Sequence, residues 1–119
     1  SIAYAKERVQ FGKPISKQQA VQWWIADMAT DIDCARFLYM RAAWLKDQGL
    51  PFTKEASMAK VFGAEMCMKH SIKAVQIHGG YGYIKGQKVE RLMRDAKITE
   101  IYEGTSEAQR MVIANNMLR

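Results

Sequence analysis

The residues best equipped for chemistry lie near the C-terminal end, in the run Arg94-Asp95-Ala96-Lys97-Ile98-Thr99-Glu100-Ile101-Tyr102-Glu103-Gly104-Thr105-Ser106-Glu107. Glu103 stands against a glycine just before a helix that opens with Thr105 and Ser106. Gly104 frees the backbone for a tight turn, and the spacing of Ser106 and Gln109 predicts a capping box. A carboxylate held in the loop before a helix can accept a proton from a substrate. The same placement also suits a carboxylate that only complements the helix dipole or sits in water. Spacing alone leaves both readings open.

Other candidates are weaker. Gly80-Tyr81-Gly82 fails as a dinucleotide fingerprint, because Lys85 stands at the third glycine position and a helix, not a strand, precedes it. It remains either a helix stop or a Gly-rich turn whose bare amides approach a ligand. His70 and His78 have no Cys, Asp or Glu at ligand spacing, so no metal site is expected; His70 reads as structural and His78 as part of the Gly loop. Ser16, Ser57, Ser71 and Ser106 lack a nearby base in any nucleophile elbow. Arg94 and Asp95 read as organisers of the Glu103 loop.

The elements that must position these groups are helices. Ile2 to Val9 resembles the end of one, broken at Phe11-Gly12-Lys13-Pro14-Ile15, where Gly12 allows an unusual backbone angle and Pro14 disfavours helix at Lys13. A long helix is predicted from Ser16, with a seam of Val21, Ile25, Met28, Ile32, Ala35, Tyr39 and Ala42, widened by Trp24, Leu38 and Leu45. Gly49-Leu50-Pro51 stops it, and Thr53 starts the next. That second long helix is apolar on two faces: Met58, Val61, Met68, Ile72 and Val75 on one, Ala59, Phe62, Met66 and Cys67 on the other. It is either central to the fold or a subunit contact. Val89, Leu92, Met93 and Ala96 mark a short helix, and Ala108, Met111, Val112 and Leu118 a last one. Short connections between them imply an all-α, up-and-down four-helix bundle with one short additional helix, a single domain over residues 1–119.

Composition agrees. A hydrophobic fraction of 49% and a charged fraction of 25% are globular values. No apolar run approaches the roughly 18 residues of a membrane span, so no membrane partner is expected. The net charge of +6 permits an anionic ligand, but the basic residues are spread from Lys6 to Arg119, which argues against nucleic acid. Cys34 and Cys67 lie in apolar helical patterns and read as buried, reduced thiols of an intracellular protein.

Four blocks together resemble the C-terminal domain of the acyl-CoA dehydrogenase family: Tyr4 to Pro14 (YAKERVQFGKP), Gln76 to Gly82 (QIHGGYG), Glu90 to Ala96 (ERLMRDA) and Ile101 to Glu107 (IYEGTSE). The likeness covers nearly the whole chain. Leu45-Lys46-Asp47, Pro51-Phe52 and Lys54 to Lys60 resemble the short-chain, butyryl-CoA-type branch.

The resemblance implies an FAD enzyme that introduces an α,β double bond into an acyl-CoA thioester. Glu103 matches the residue that removes the α proton while the β hydrogen leaves as hydride to the flavin. The Glu103 backbone N–H, with a flavin ribityl hydroxyl, is implied to hold the thioester oxygen, and Gly104 to leave room for the acyl chain. Arg8, Phe11 and Gln19 match positions near the FAD adenosine and pyrophosphate. Gln76, Ile77, His78, Gly79 and Gly80 match a second FAD-contacting loop, and both groups are implied to reach the flavin of a neighbouring subunit. Thr105, Ser106 and Glu107 match FAD contacts at a helix N-terminus. Gln10 and Gln18 depart from the Thr and His of some relatives.

The likeness further implies a homo-oligomer, dimer or tetramer, that passes electrons to an electron-transferring flavoprotein in a bacterial cytoplasm or mitochondrial matrix. The family's N-terminal helical and middle β domains have no counterpart in these residues, so the isolated chain is expected to be inactive. An acyl-CoA oxidase of the same family, or a catalytically inactive helical assembly module of the same fold, are the alternatives.

Overall fold

The computed structural model describes residues 1–119. Six helices follow in order: α1 (Ile2–Glu7), α2 (Gln19–Asp47), α3 (Thr53–His78), α4 (Gly80–Tyr83), α5 (Lys88–Ile98) and α6 (Ser106–Met117). Between α1 and α2 lie two minimal strands, β1 (Val9–Gln10) and β2 (Lys13–Pro14), and a 3-10 turn over Ile15–Lys17. The strands pair antiparallel, Val9 with Pro14 and Gln10 with Lys13. Their turn has positive φ at both Phe11 (53°) and Gly12 (74°), as a tight hairpin of right-twisted strands requires.

α3 is the centre of the molecule. It packs against α2, α5 and α6, yet its two apolar faces are only partly covered within the chain, with Ile72 and Cys67 exposed. Side-chain links fix the antiparallel register with α2: Arg41 to Glu55, Asp31 to His70, and the Lys73 ammonium over the Trp24 ring. α5 runs antiparallel to α3, with Val89 near Ala74 and Ala96 near Met66, and α6 packs on α3 rather than on α5. The result is a rod of 58 × 24 × 23 Å.

The α2–α3 connection shows how the local sequence ends a helix. Gly49 adopts φ 68°, and the Leu50 N–H donates back to the Leu45 carbonyl while the Gly49 N–H reaches Lys46. These bonds satisfy carbonyls that a helix end otherwise leaves open. At the far end of α3, Gly79 (φ 59°) breaks the helix.

A small core of Ala5, Ile15, Val21 and Ile77 joins α1, the 3-10 turn, the start of α2 and the end of α3, with Tyr4, Trp24, Ile25 and Met28 packed on it. Only 12 of 119 residues are buried, and large apolar side chains on the outer face of α2, including Trp23, Phe37, Met40 and Trp44, are exposed. A rod of three helix layers has too little interior to enclose them.

Several expectations are corrected. α2 begins at Gln19 rather than Ser16, because Ile15–Lys17 winds as a 3-10 turn that drives Ile15 into the core. The Gly-rich stretch after His78 is itself a single helical turn, α4. Ile32 and Tyr39 of the α2 seam are exposed, since α3 covers a stripe too narrow to reach every seam position. Cys34 and Cys67 are both free but exposed, because apolar neighbours in sequence do not fix which side of a helix is covered.

Candidate functional site

The candidate base sits in the loop between α5 and α6. Glu103 has φ 54° and Gly104 φ 86°, two successive left-handed residues. For a residue with a Cβ this conformation costs roughly 1–2 kcal/mol, so the loop persists only because its surroundings over-determine it. Two contacts do so. Gln109 Nε2 donates to the Glu103 carbonyl at 2.9 Å, and Lys60 Nζ, from α3, donates to the Gly104 carbonyl at 2.6 Å. The Ser106 N–H closes the loop onto the Glu100 carbonyl at 3.0 Å. The Glu103 N–H donates to no acceptor within the chain.

The capping box expected from Ser106 and Gln109 does not form. Thr105 is the N-cap of α6, its hydroxyl accepting from the Ala108 N–H at 3.2 Å, while Gln109 turns away from the cap to hold the Glu103 carbonyl. Ser106 lies inside the first turn with its hydroxyl buried and unpaired. The carboxyl of Glu107 is held below its usual range first by its own backbone N–H and then by the Thr105 hydroxyl. α6 is fastened to α3 by a forked pair, Arg110 Nη1 to Glu65 Oε1 at 2.6 Å and Nη2 to Oε2 at 2.7 Å. That pair lowers the Glu65 pKa and raises that of Arg110.

Arg94 and Asp95 do not organise this loop. They make exposed pairs within α5, Arg94 with Glu90 and Asp95 with Arg91, because one helical turn brings those partners closer than the loop. Lys97, reaching Glu100, is the α5 residue that ties to the loop.

The other candidate residues gather at the opposite end of α3. A cleft of about 520 Å³ is lined by Tyr4, Arg8, Gln10, Ile15, Ile77, His78, Gly79, Gly80, Tyr81 and Ile84. Tyr4 stacks on His78 with ring centroids 4.3 Å apart and donates its hydroxyl to the His78 carbonyl. His78 Nδ1 meets the Ala74 carbonyl at 2.8 Å, so that nitrogen carries the proton and Nε2 is left as an acceptor. Arg8 lies over the Tyr81 ring at 5.3 Å and pairs with no carboxylate. Gly80 has no atom within 4 Å of where a Cβ would stand.

The structure therefore brings Arg8 together with Ile77, His78, Gly79 and Gly80, and separately groups Thr105, Ser106 and Glu107 around a second hollow shared with Glu65, Lys97 and Glu100. Glu103 and Gly104 lie beside the second group and line neither hollow. Gln19 and Gln76 are exposed and outside the cleft, and Phe11 projects from the hairpin tip with 90% of its surface exposed. The two groups are separated along α3 by the 13 residues from Glu65 to His78, about 20 Å of helix. Lys60 and Tyr81 escaped the sequence reading. Nothing in a sequence marks a lysine whose partner is a carbonyl 44 residues away, while Tyr81 had the signal of lying inside the Gly loop.

The family profile for the acyl-CoA dehydrogenase C-terminal domain matches residues 1–118. The chain belongs to that family. A short-chain specific acyl-CoA dehydrogenase of Clostridium acetobutylicum is 54% identical over 117 residues, which cover 98% of this chain and 31% of that protein. The CarC subunit of the caffeyl-CoA reductase-Etf complex of Acetobacterium woodii is 55% identical over 119 residues, all of this chain and 31% of that protein. The butyryl-CoA dehydrogenase of Megasphaera elsdenii superposes with a TM-score of 0.97 at 49% identity, covering 99% of this chain and 31% of that one. The chain thus spans 31% of the length of these relatives.

Proposed function

We propose that this chain is the C-terminal helical part of a longer FAD-dependent acyl-CoA dehydrogenase acting on short-chain acyl-CoA thioesters, with Glu103 as the base that removes the α proton. The observation that carries the reading is the Glu103 loop: a carboxylate on a strained left-handed turn, pinned through both following carbonyls, beside a backbone N–H left without an acceptor. A carboxylate fixed this way is placed to take one proton repeatedly from one direction. The free Glu103 N–H suits it to hold a thioester oxygen as negative charge develops there.

The residues present fit FAD. The cleft at the far end of α3 combines an unpaired guanidinium, Arg8, an acceptor nitrogen on His78, and a glycine, Gly80, with open space around it. The Arg8 donors and the bare backbone suit a pyrophosphate, and the His78 acceptor suits an amino or hydroxyl donor of the adenosine. Thr105, Ser106 and Glu107 supply a helix N-terminus at the other end. When bound, FAD supplies an acceptor for the β hydrogen as hydride. The separation of the two groups supports their serving two flavins, one per subunit of a homo-oligomer, and the exposed apolar face of α2 supports burial against further protein. An electron-transferring flavoprotein is the proposed electron partner, supported by the Etf complex of the Acetobacterium relative.

That relative also favours a second reading, reduction of an enoyl-CoA. The same residues would then act in reverse, with Glu103 delivering the proton to the α carbon. In the full-length protein, Glu103→Gln is expected to keep the flavin spectrum and lose bleaching by butyryl-CoA. Bleaching at the parent rate in that variant would remove Glu103 from the chemistry.

A further inference from the structure

We propose that Lys60 is a positioning residue for the Glu103 carboxylate, acting through the Gly104 carbonyl; this rests on the reading of Glu103 as base. The basic side chains that reach across the fold mostly meet carboxylates: Arg41 meets Glu55, Lys69 meets Asp31, and Arg110 meets Glu65. Lys60 is different. It forms no ion pair, and its ammonium crosses from α3 to donate to a peptide carbonyl at 2.6 Å. A charge-assisted bond of that length is among the stronger single contacts available to a loop.

Its target explains its use. Glu103 and Gly104 are both left-handed, so the chain direction through the loop depends on the two peptide planes that follow Glu103. Gln109 holds the first plane by the Glu103 carbonyl and Lys60 the second by the Gly104 carbonyl. No peptide bond in the chain is cis, and in a trans peptide the C=O and N–H point in opposite directions. Drawing the two carbonyls toward Gln109 and Lys60 therefore turns the Gly104 and Thr105 N–H groups away from them, and neither donates to any acceptor in the chain. Lys60 thus sets two things together: the point from which the Glu103 side chain leaves the backbone, and the outward direction of the donors beside it. Gln109 is carried by α6 itself, whereas Lys60 ties the turn to the central helix.

The test uses the full-length flavoprotein with Lys60→Met, Lys60→Arg and, as reference, Glu103→Gln. Measured are kcat and KM for butyryl-CoA, deuterium uptake from solvent at the α carbon, flavin content, melting temperature, and amide exchange of the Thr99–Ser106 segment, whose Tyr102 and Ser106 amides donate to Ile98 and Glu100. Lys60→Met is expected to lower kcat and α-carbon exchange together by on the order of tenfold or more, since small misplacement of a reacting group has effects of that size. KM should stay within about twofold, flavin content should hold, and the segment should exchange faster; Lys60→Arg, which keeps a charged donor, should recover most of the rate. Turnover and segment exchange at parent levels in Lys60→Met, with Glu103→Gln inactive, would overturn the role of Lys60 and leave the base in place. Full turnover in Glu103→Gln would overturn the base itself. Earlier melting or flavin loss in both Lys60 variants, with unchanged turnover per bound flavin, would reduce Lys60 to a stability contact and overturn the proposal.

Discussion

Gly82 and Gly80 lie two residues apart in α4, and the structure predicts opposite responses to alanine. A Cβ at Gly82 would stand 2.7 Å from His78 Cβ, 2.7 Å from the Val75 carbonyl oxygen and 3.2 Å from Val75 Cα. Carbon atoms rest at about 3.5–4.0 Å, and two of these three neighbours are backbone, so no rotamer change relieves the contact. α4 must instead move off the last turn of α3 by most of an ångström. Overpacking of this kind costs about 1–3 kcal/mol. At about 2.1 cal/mol/K of unfolding entropy per residue, a chain of this length loses roughly 4 °C of Tm per kcal/mol, which gives a drop of about 4–12 °C. At Gly80 nothing lies within 4 Å of the added carbon and φ is not in the left-handed range, so alanine restricts only the unfolded chain and should raise stability by about 0.4–1 kcal/mol. Thermal unfolding followed by far-UV circular dichroism separates the two. In the full-length protein Gly80→Ala should nevertheless weaken flavin retention, because its bare backbone lines the cleft. Equal Tm shifts for the two variants, or an unshifted Gly82→Ala, would refute the close packing of α4 on α3.

Two further outcomes concern the ties to α3. Asp31 accepts from Lys69 at 2.9 Å and from buried His70 at 2.7 Å, and Lys69 first and His70 second lower its pKa. Asp31→Asn should cost about 1–3 kcal/mol at pH 7, chiefly by weakening the hydrogen bond of a buried imidazole. Because the folded carboxyl titrates below its unfolded value, that stability is present above about pH 4 and lost as pH falls through the folded pKa, so urea melts of parent and variant should converge as the pH drops below it. Arg110→Met should cost only about 0.5–1 kcal/mol, since both partners of the Glu65 fork are largely exposed and screened by water. That difference should also shrink below about pH 4.5, where Glu65 protonates in the unfolded chain, and in molar salt; a loss undiminished by either would show that Arg110 acts by packing.

Much of the fold was legible because helices announce themselves by period. Val21 and Ala42 are buried and Met28 and Ala35 half-buried, and the Gly49 and Gly79 stops fall where the spacing put them. The hairpin at Phe11-Gly12 was read only as a break, since its signal is a left-handed Phe where Asn or Asp is usual. Which faces of α2 stay uncovered could not be read, because an apolar stripe states that something covers it and not what. At the candidate site, Glu103, Arg8 and the Gly79 loop were proposed from sequence motifs. Lys60 and the Glu65–Arg110 fork were not, since each joins residues more than 40 positions apart and exists only once α3 and α6 lie side by side.

α3 also acts as a ruler. Lys60 and His78 are separated by 18 residues, and at 3.6 residues per turn that is about five whole turns, so both leave the helix on the same side. Inserting or deleting one residue between them would swing one end by about 100° against the other, while shifting it only about 1.5 Å along the axis. The length of this helix is thus constrained in phase as well as in reach: any working change between Lys60 and His78 must come in near-whole turns, and surface loops of the same chain carry no such restriction.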